Sequence, residues 1–138
     1  MTVKRVLVPI DKSEKTLKSI EQLKLLFRKE EVQVVLLHVI DDFNVAAVDY
    51  VSAEFMDAVT TLSNSLLDRA EGLLPGYTVE KISILGSASK EIFNTSSEKN
   101  IDLIIMTKTG SGLVDKYILG SVTSKIVKKA DIPVMVIP

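Results

Sequence analysis

Short runs of almost wholly apolar, β-branched residues alternate along this chain with segments whose apolar residues recur every three or four positions. The first kind comprises Val6-Leu7-Val8, Val32 to Val39, Ile101 to Met106 and Val134 to Ile137. An unbroken apolar run suits a strand covered on both faces, as in a parallel sheet. Thr78 to Leu85 predicts a fifth strand, in which Glu80 and Lys81 interrupt Val79, Ile82 and Ile84. Those charges fit an edge, where one row of peptide groups faces water.

The second kind predicts four helices. Leu17, Ile20, Leu23 and Phe27 form a stripe behind Ser13, whose hydroxyl suits an N-cap. The longest helix is expected from near Tyr50, with Val51, Phe55, Val59, Leu62, Leu66, Ala70 and Leu73 on one stripe, and it stops at Leu74-Pro75-Gly76. A third lies near Ser89 to Lys99, with Asn100 as its stop. A fourth runs from about Ser121 to Lys129, with Val122, Ile126 and Val127 facing inward. The order β-α-β-α-β-α-β-α-β calls for right-handed crossovers and a parallel sheet with helices on both faces, a Rossmann-like α/β fold. No repeat, low-complexity tract or linker divides it, so 1–138 reads as one domain, with a loop from Asp41 to Asp49.

Composition narrows the classes of function. A net charge of -1 lacks the basic excess of a nucleic-acid binder. There is no cysteine for a disulfide or thiolate site, and a single histidine leaves no zinc cluster. Met1 to Arg5 lead directly into an apolar run too short for a signal-peptide core, and no segment approaches a membrane-spanning length. The expectation is a cytoplasmic protein that binds neither membrane nor nucleic acid.

Ligands of such sheets bind outside the carboxyl ends of the strands. The informative positions are therefore Pro9-Ile10-Asp11, His38-Val39-Ile40, and the stretch after Met106 from Thr107 to Thr123. That stretch contains Thr107-Lys108-Thr109-Gly110-Ser111-Gly112 and reaches Gly120-Ser121-Val122-Thr123 where a helix begins. Unpaired N–H groups and the dipole at a helix N-terminus favour a phosphate. Gly120 permits close approach, Ser121 and Thr123 add hydroxyls, and Lys108 is a mobile cation or simply a surface lysine. Gly-Ser ahead of a helix is also an ordinary turn and cap.

Asp102 to Met106, Gly110, nine intervening residues, Gly120-Ser121-Val122-Thr123 and then Ile132-Pro133-Val134-Met135-Val136 together resemble the universal stress protein family. Val6-Leu7-Val8-Pro9-Ile10-Asp11-Lys12-Ser13 is similar to the family's opening strand, and Leu36-Leu37-His38-Val39 to its second, so the likeness spans essentially the whole chain. The resemblance implies a five-stranded sheet in the order 3-2-1-4-5. It also implies an adenine nucleotide, ATP or ADP or AMP, with any Mg2+ held by the phosphates. Asp11 and the backbone of Val39 would meet adenine and ribose beside Pro9, Ile10 and Met106, while Gly110, Gly120, Ser121, Val122 and Thr123 would cradle the phosphates. Members of this kind act in stress response by regulation, with little or no catalysis, and many form a homodimer through the last strand, here Val134 to Ile137. The family's nucleotide-binding pattern begins with a further glycine, where this chain has Thr107. Its side chain either crowds the sugar or offers it a hydroxyl. The alternative function is a homodimeric interaction module whose nucleotide site is lost at Thr107.

Other residues have plainer readings. Asp11 is a ligand contact or an Asx-turn beside Ser13, and the two are compatible. His38 lies among Leu36, Leu37 and Val39, which favours a hydrogen-bonded structural histidine over a general base. Asp41 and Asp42 are solvated loop carboxylates or neighbours of a phosphate-bound metal, and Lys125, Lys128 and Lys129 complement a helix C-terminus. A flavin-phosphate loop would follow the first strand and does not. A receiver domain lacks its acidic partners, since Ile10 and Gly86 stand in their places. An ATP-pyrophosphatase loop is absent, and no Gly-Lys-Ser/Thr follows a glycine-rich loop.

Overall fold

The computed structural model describes residues 3–41, 52–108 and 119–138. Five strands, β1 (Lys4–Pro9), β2 (Val32–Ile40), β3 (Thr78–Leu85), β4 (Leu103–Thr107) and β5 (Val134–Ile137), form one sheet in the order β3-β2-β1-β4-β5. Every pairing is parallel. The helices are α1 (Leu17–Leu26), α2 (Ala53–Gly72), α3 (Ala88–Glu98) and α4 (Ser121–Lys129), and a 3-10 turn (Glu14–Thr16) precedes α1.

Alternation along each strand divides the core in two. Val6, Val8 and Ile10 meet Ile20 and Leu23 of α1 and Leu67 and Ala70 of α2. Leu7, Leu37 and Met106 meet Ile92 of α3 and Ile126 of α4 on the opposite face. The expected parallel sheet, its strand order and the edge position of β3 are therefore all present.

Charged ends extend the first strand beyond its apolar run. Lys4 and Arg5 pair with Val32 and Gln33. The Arg5 guanidinium donates to Gln33 Oε1 at 2.7 Å, and its peptide N–H donates to Asp102 Oδ2 at 2.8 Å. Ser13 caps the 3-10 turn rather than α1 itself, its Oγ accepting the Lys15 N–H at 3.1 Å. Asn100 stands at φ 52, the left-handed conformation that asparagine tolerates, and so turns the chain out of α3.

The inner stripe of α2 differs from the expected one. The helix begins at Ala53, where Ser52 Oγ accepts the Phe55 N–H at 3.1 Å; Tyr50 and Val51 lie outside the described residues. Its buried residues are Ser63, Leu67 and Ala70, whereas Phe55, Leu62 and Leu73 are 44%, 48% and 39% exposed. A hydrogen-bonded serine occupies an inward position that hydrophobic periodicity assigns to a neighbour. Val127 of α4, also expected inward, is 45% exposed, while Thr123 and Ile126 carry that helix's buried face.

Edge strand β3 is tied down by ions. Lys81 Nζ lies 2.8 Å from Asp68 and 2.9 Å from Glu71 of α2, and Lys99 Nζ lies 2.6 Å from Glu80. Hydrogen bonds to Asp68 first, then Glu71, hold the Lys81 ammonium above its ordinary pKa. Exposed pairs of this kind add little stability, but charges along an edge discourage a stray strand from pairing there. Among the described residues, no helix is long and apolar enough to cross a membrane.

The rotated stripe has a measurable consequence. Leu67→Ala, at a residue 1% exposed, is expected to cost about 2–5 kcal/mol in urea denaturation, and Leu62→Ala less than about 1 kcal/mol. Comparable losses at the two positions would restore the stripe read from periodicity.

Candidate functional site

A cleft of roughly 470 Å³ opens at the carboxyl ends of the strands, where the sheet is continued from β1 to β2 on one side and to β4 on the other. That is the switch point at which open α/β sheets receive ligands. β1 and the turn after it contribute Pro9, Ile10, Asp11 and Lys12. From β2 come Leu37, His38 and Val39, with Asp41 beyond them. β4 contributes Met106 and Thr107, and the approach to α4 contributes Gly120, Ser121, Val122 and Thr123. Apart from Lys108, every candidate site residue that falls among the described residues thus lines one cavity. Gly110 and Asp42 lie outside the described residues, as do all of residues 109–118.

Asp11 combines its two readings. Its Oδ1 accepts the Ser13 N–H at 2.7 Å, an Asx-turn that leads into the 3-10 turn, and the residue still borders the cleft. Ser13 O then accepts both the Thr16 N–H at 3.2 Å and the Thr16 hydroxyl at 2.9 Å. The turn that carries Asp11 and Lys12 past the cleft is therefore held by its own side chains.

The phosphate-type turn is built by the start of α4. Gly120 is the N-cap, at φ -62 and ψ 157, and its carbonyl accepts the first helical bond, from the Ser124 N–H at 2.8 Å. The N–H groups of Ser121, Val122 and Thr123 precede that bond and have no carbonyl of their own helix to reach. Any residue can adopt this φ, so backbone conformation does not demand glycine at 120. What glycine supplies there is a buried backbone without a Cβ at the cleft.

Three bonds fix this turn to the sheet. The Gly120 N–H donates to Lys108 O at 3.0 Å, the Lys108 N–H donates to Ile137 O at 2.7 Å, and the Thr123 hydroxyl donates to Thr107 O at 2.9 Å. The Thr123 hydroxyl hydrogen is thereby engaged with a carbonyl inside the protein. Ser121 is exposed on the same turn. Thr107 itself is 7% exposed and lines the cleft, and its carbonyl is the acceptor for the Thr123 hydroxyl.

Periodicity and motif left some of the wall unread. Lys12, rather than Lys108, is the lysine among the described lining residues, and Thr16, Ala88 and Ile92 complete the wall. Leu37 and Ile92 carry only a core signal in sequence. His38, 5% exposed, is the hydrogen-bonded structural histidine expected. Its Nδ1 is 2.6 Å from Ser63 Oγ of α2, which is 2.6 Å from Ser83 Oγ of β3. No spacing rule links 38, 63 and 83. Among the described residues no group of three or more His, Asp or Glu side chains is placed to hold a metal ion.

Fold and cleft together define an α/β domain with a cleft at its switch point. Residues 2–138 match the Universal stress protein family, and the chain belongs to that family. Universal stress protein MJ0577 of Methanocaldococcus jannaschii is 27% identical, over 97% of this chain and 94% of that protein. The solved structure of MJ0577 superposes with a TM-score of 0.80, covering 99% of this chain and 96% of that one. An Arabidopsis thaliana family protein solved with AMP bound shares the fold at a TM-score of 0.67, with 21% identity over 97% and 90% of the two chains. A universal stress protein solved in complex with cAMP does so at 0.68, with 14% identity over 99% and 98%.

The Thr123 hydroxyl bond is open to test. Thr123→Val removes the donor to a buried carbonyl and is expected to cost about 1–3 kcal/mol in urea denaturation, while Thr123→Ser retains most of that stability. A Thr123→Val variant more stable than Thr123→Ser would mean that the methyl, not the hydroxyl, holds α4 to β4.

Proposed function

We propose that the cleft binds an adenine nucleotide, ATP or ADP or AMP, with any Mg2+ carried by the phosphates, and that the protein acts by regulation rather than catalysis. The observation that carries this reading is the convergence of Asp11, Val39 and the Gly120–Thr123 turn on one cavity at the switch point. Helix-terminal N–H groups on one wall suit phosphate, and the half-apolar wall from Ile10, Val39 and Met106 suits a flat base. The AMP and cAMP complexes of proteins with this fold support the same ligand class.

A second reading has its own observation. Thr107 puts a β-branched side chain at the cleft wall, and a lost site would leave pairing between two copies as the function. Calorimetric titration with Mg-ATP separates the two. Binding by the natural chain, abolished by Gly120→Val, is the expected outcome. No binding until Thr107→Gly restores it would establish the closed site instead.

The homodimer belongs to both readings, and the half-buried edge strand β5 supports it. Pro133 accepts a hydrogen bond from Ile104 of β4 and Ile137 one from Lys108 just past it, so the peptide groups of Val134 and Val136 turn outward. Val136→Pro removes an outward N–H without touching the β4 ladder. In sedimentation velocity the natural chain is expected as a dimer and Val136→Pro as a folded monomer. A dimer unaffected by Val136→Pro would place the contact elsewhere.

A further inference from the structure

A proline stands in the middle strand of this sheet, where proline is least expected. β1 is the third of five strands, with β2 on one side and β4 on the other, and Pro9 is its last residue. Proline has no N–H to give a ladder, so within sheets it is confined to edges, bulges and strand starts. The backbone bonds around β1 show which neighbour goes without. The Lys4 N–H donates to Glu31 O at 2.9 Å and the Ile10 N–H to Leu37 O at 2.8 Å, so even-numbered residues of this strand turn toward β2. Arg5 O instead accepts the Asp102 N–H at 2.8 Å, so odd-numbered residues turn toward β4. Pro9 is odd-numbered. Its missing N–H therefore costs the β2 ladder nothing, and that ladder runs on to Pro9–Leu37.

The loss falls on β4. There the Ile104 N–H donates to Pro133 O at 3.1 Å, and the Lys108 N–H just past the strand to Ile137 O at 2.7 Å. Even-numbered residues of β4 thus face β5, which leaves Leu103, Ile105 and Thr107 turned toward β1. The β1–β4 register is Val6–Leu103 and Leu7–Ile104. Continued by one step, to Val8 opposite Ile105, it needs the N–H of residue 9 to donate to Ile105 O. Proline cannot supply it, and the register ends there. Beyond the break, Pro9 and Ile10 from one strand and Met106 and Thr107 from the other line the cleft.

We propose that Pro9 is a positioning residue of the site: by withholding one N–H on the β4 side alone, it keeps the carboxyl ends of β1 and β4 apart and holds the cleft open for its ligand. For the identity of that ligand this rests on the nucleotide reading above. The bond from Ile10 to Leu37 keeps the end of β1 fastened to β2, so the opening is one-sided. Any residue other than proline would bring the missing donor, and the two strands would gain a rung where the cleft begins.

Pro9→Ala supplies that N–H. In the ligand-free protein the residue 9 amide is expected to exchange with solvent as slowly as its neighbours in the ladder, and to show an NMR coupling across the hydrogen bond to the Ile105 carbonyl. AMP affinity is expected to fall several-fold. N-methylation of the same alanine, introduced by cell-free synthesis, removes the N–H again without the proline ring and is expected to recover most of that affinity. A residue 9 amide that exchanges freely would overturn the proposal. So would a Pro9→Ala protein that forms the rung yet binds AMP as the natural chain does. An equal loss with and without the methyl group would assign the effect to the ring and also overturn it. Failure of AMP to bind the natural chain would sink the nucleotide reading alone, because exchange and coupling decide the ladder without ligand.

Discussion

β1 pairs with β2 along its whole length, from Lys4 opposite Val32 to Pro9 opposite Leu37, but with β4 only at Val6–Leu103 and Leu7–Ile104. The ladder on the β4 side stops two residues before β1 ends, while β4 itself continues to Thr107. Two neighbouring strands that stop pairing leave space between their carboxyl ends. Because β2 and β4 lie on opposite sides of β1, the chain leaves β1 toward α1 on one face and enters β4 from α3 on the other. Among the described residues nothing crosses the gap. Wherever this order is adopted, a cleft floored by strand ends follows from the connectivity alone, before any side chain is chosen.

Side chains then decide what the cleft can hold, and most of them serve as structure first. Asp11 closes an Asx-turn, Thr123 ties α4 to β4, and Gly120 links its N–H to Lys108. Each bond fixes a wall in place without occupying the cavity, so the N–H groups at the start of α4 are aimed by a rigid frame. Preorganisation of this kind lowers the ordering cost of binding. It also makes the wall intolerant of bulk, and the β-branched Thr107, 7% exposed, is one of the residues that line it.

Much of this was legible in sequence because burial on both faces leaves an unbroken apolar signature. β3, α4 and β5 begin and end where their patterns do, and Glu80 and Lys81 identified an edge. The errors share a physical cause. Periodicity counts apolar residues, so it passed over Ser63 and Thr123, which are buried because hydrogen bonds satisfy them. It also placed Phe55, Leu62 and Val127 inward although each is nearly half exposed. In the site, residues adjacent to strand ends were readable from the switch-point rule and the family pattern. Leu37, Ala88 and Ile92 were not, since an apolar side chain facing a cavity and one facing a core have the same sequence signature.

The polar chain from His38 to Ser83 shows what is lost when hydrophobicity alone is read. A leucine at 63 would have continued the apolar stripe of α2 and left the imidazole without its partner, at a cost comparable to that of an unmade buried hydrogen bond. The chain therefore couples the identity of one helix residue to the state of the cleft wall. α2 contributes no described residue to the lining of the cleft, yet through Ser63 it holds the imidazole of His38, a residue of that lining. The helix that covers the outer half of the sheet thus has a part in the site that its distance from the strand ends would not suggest.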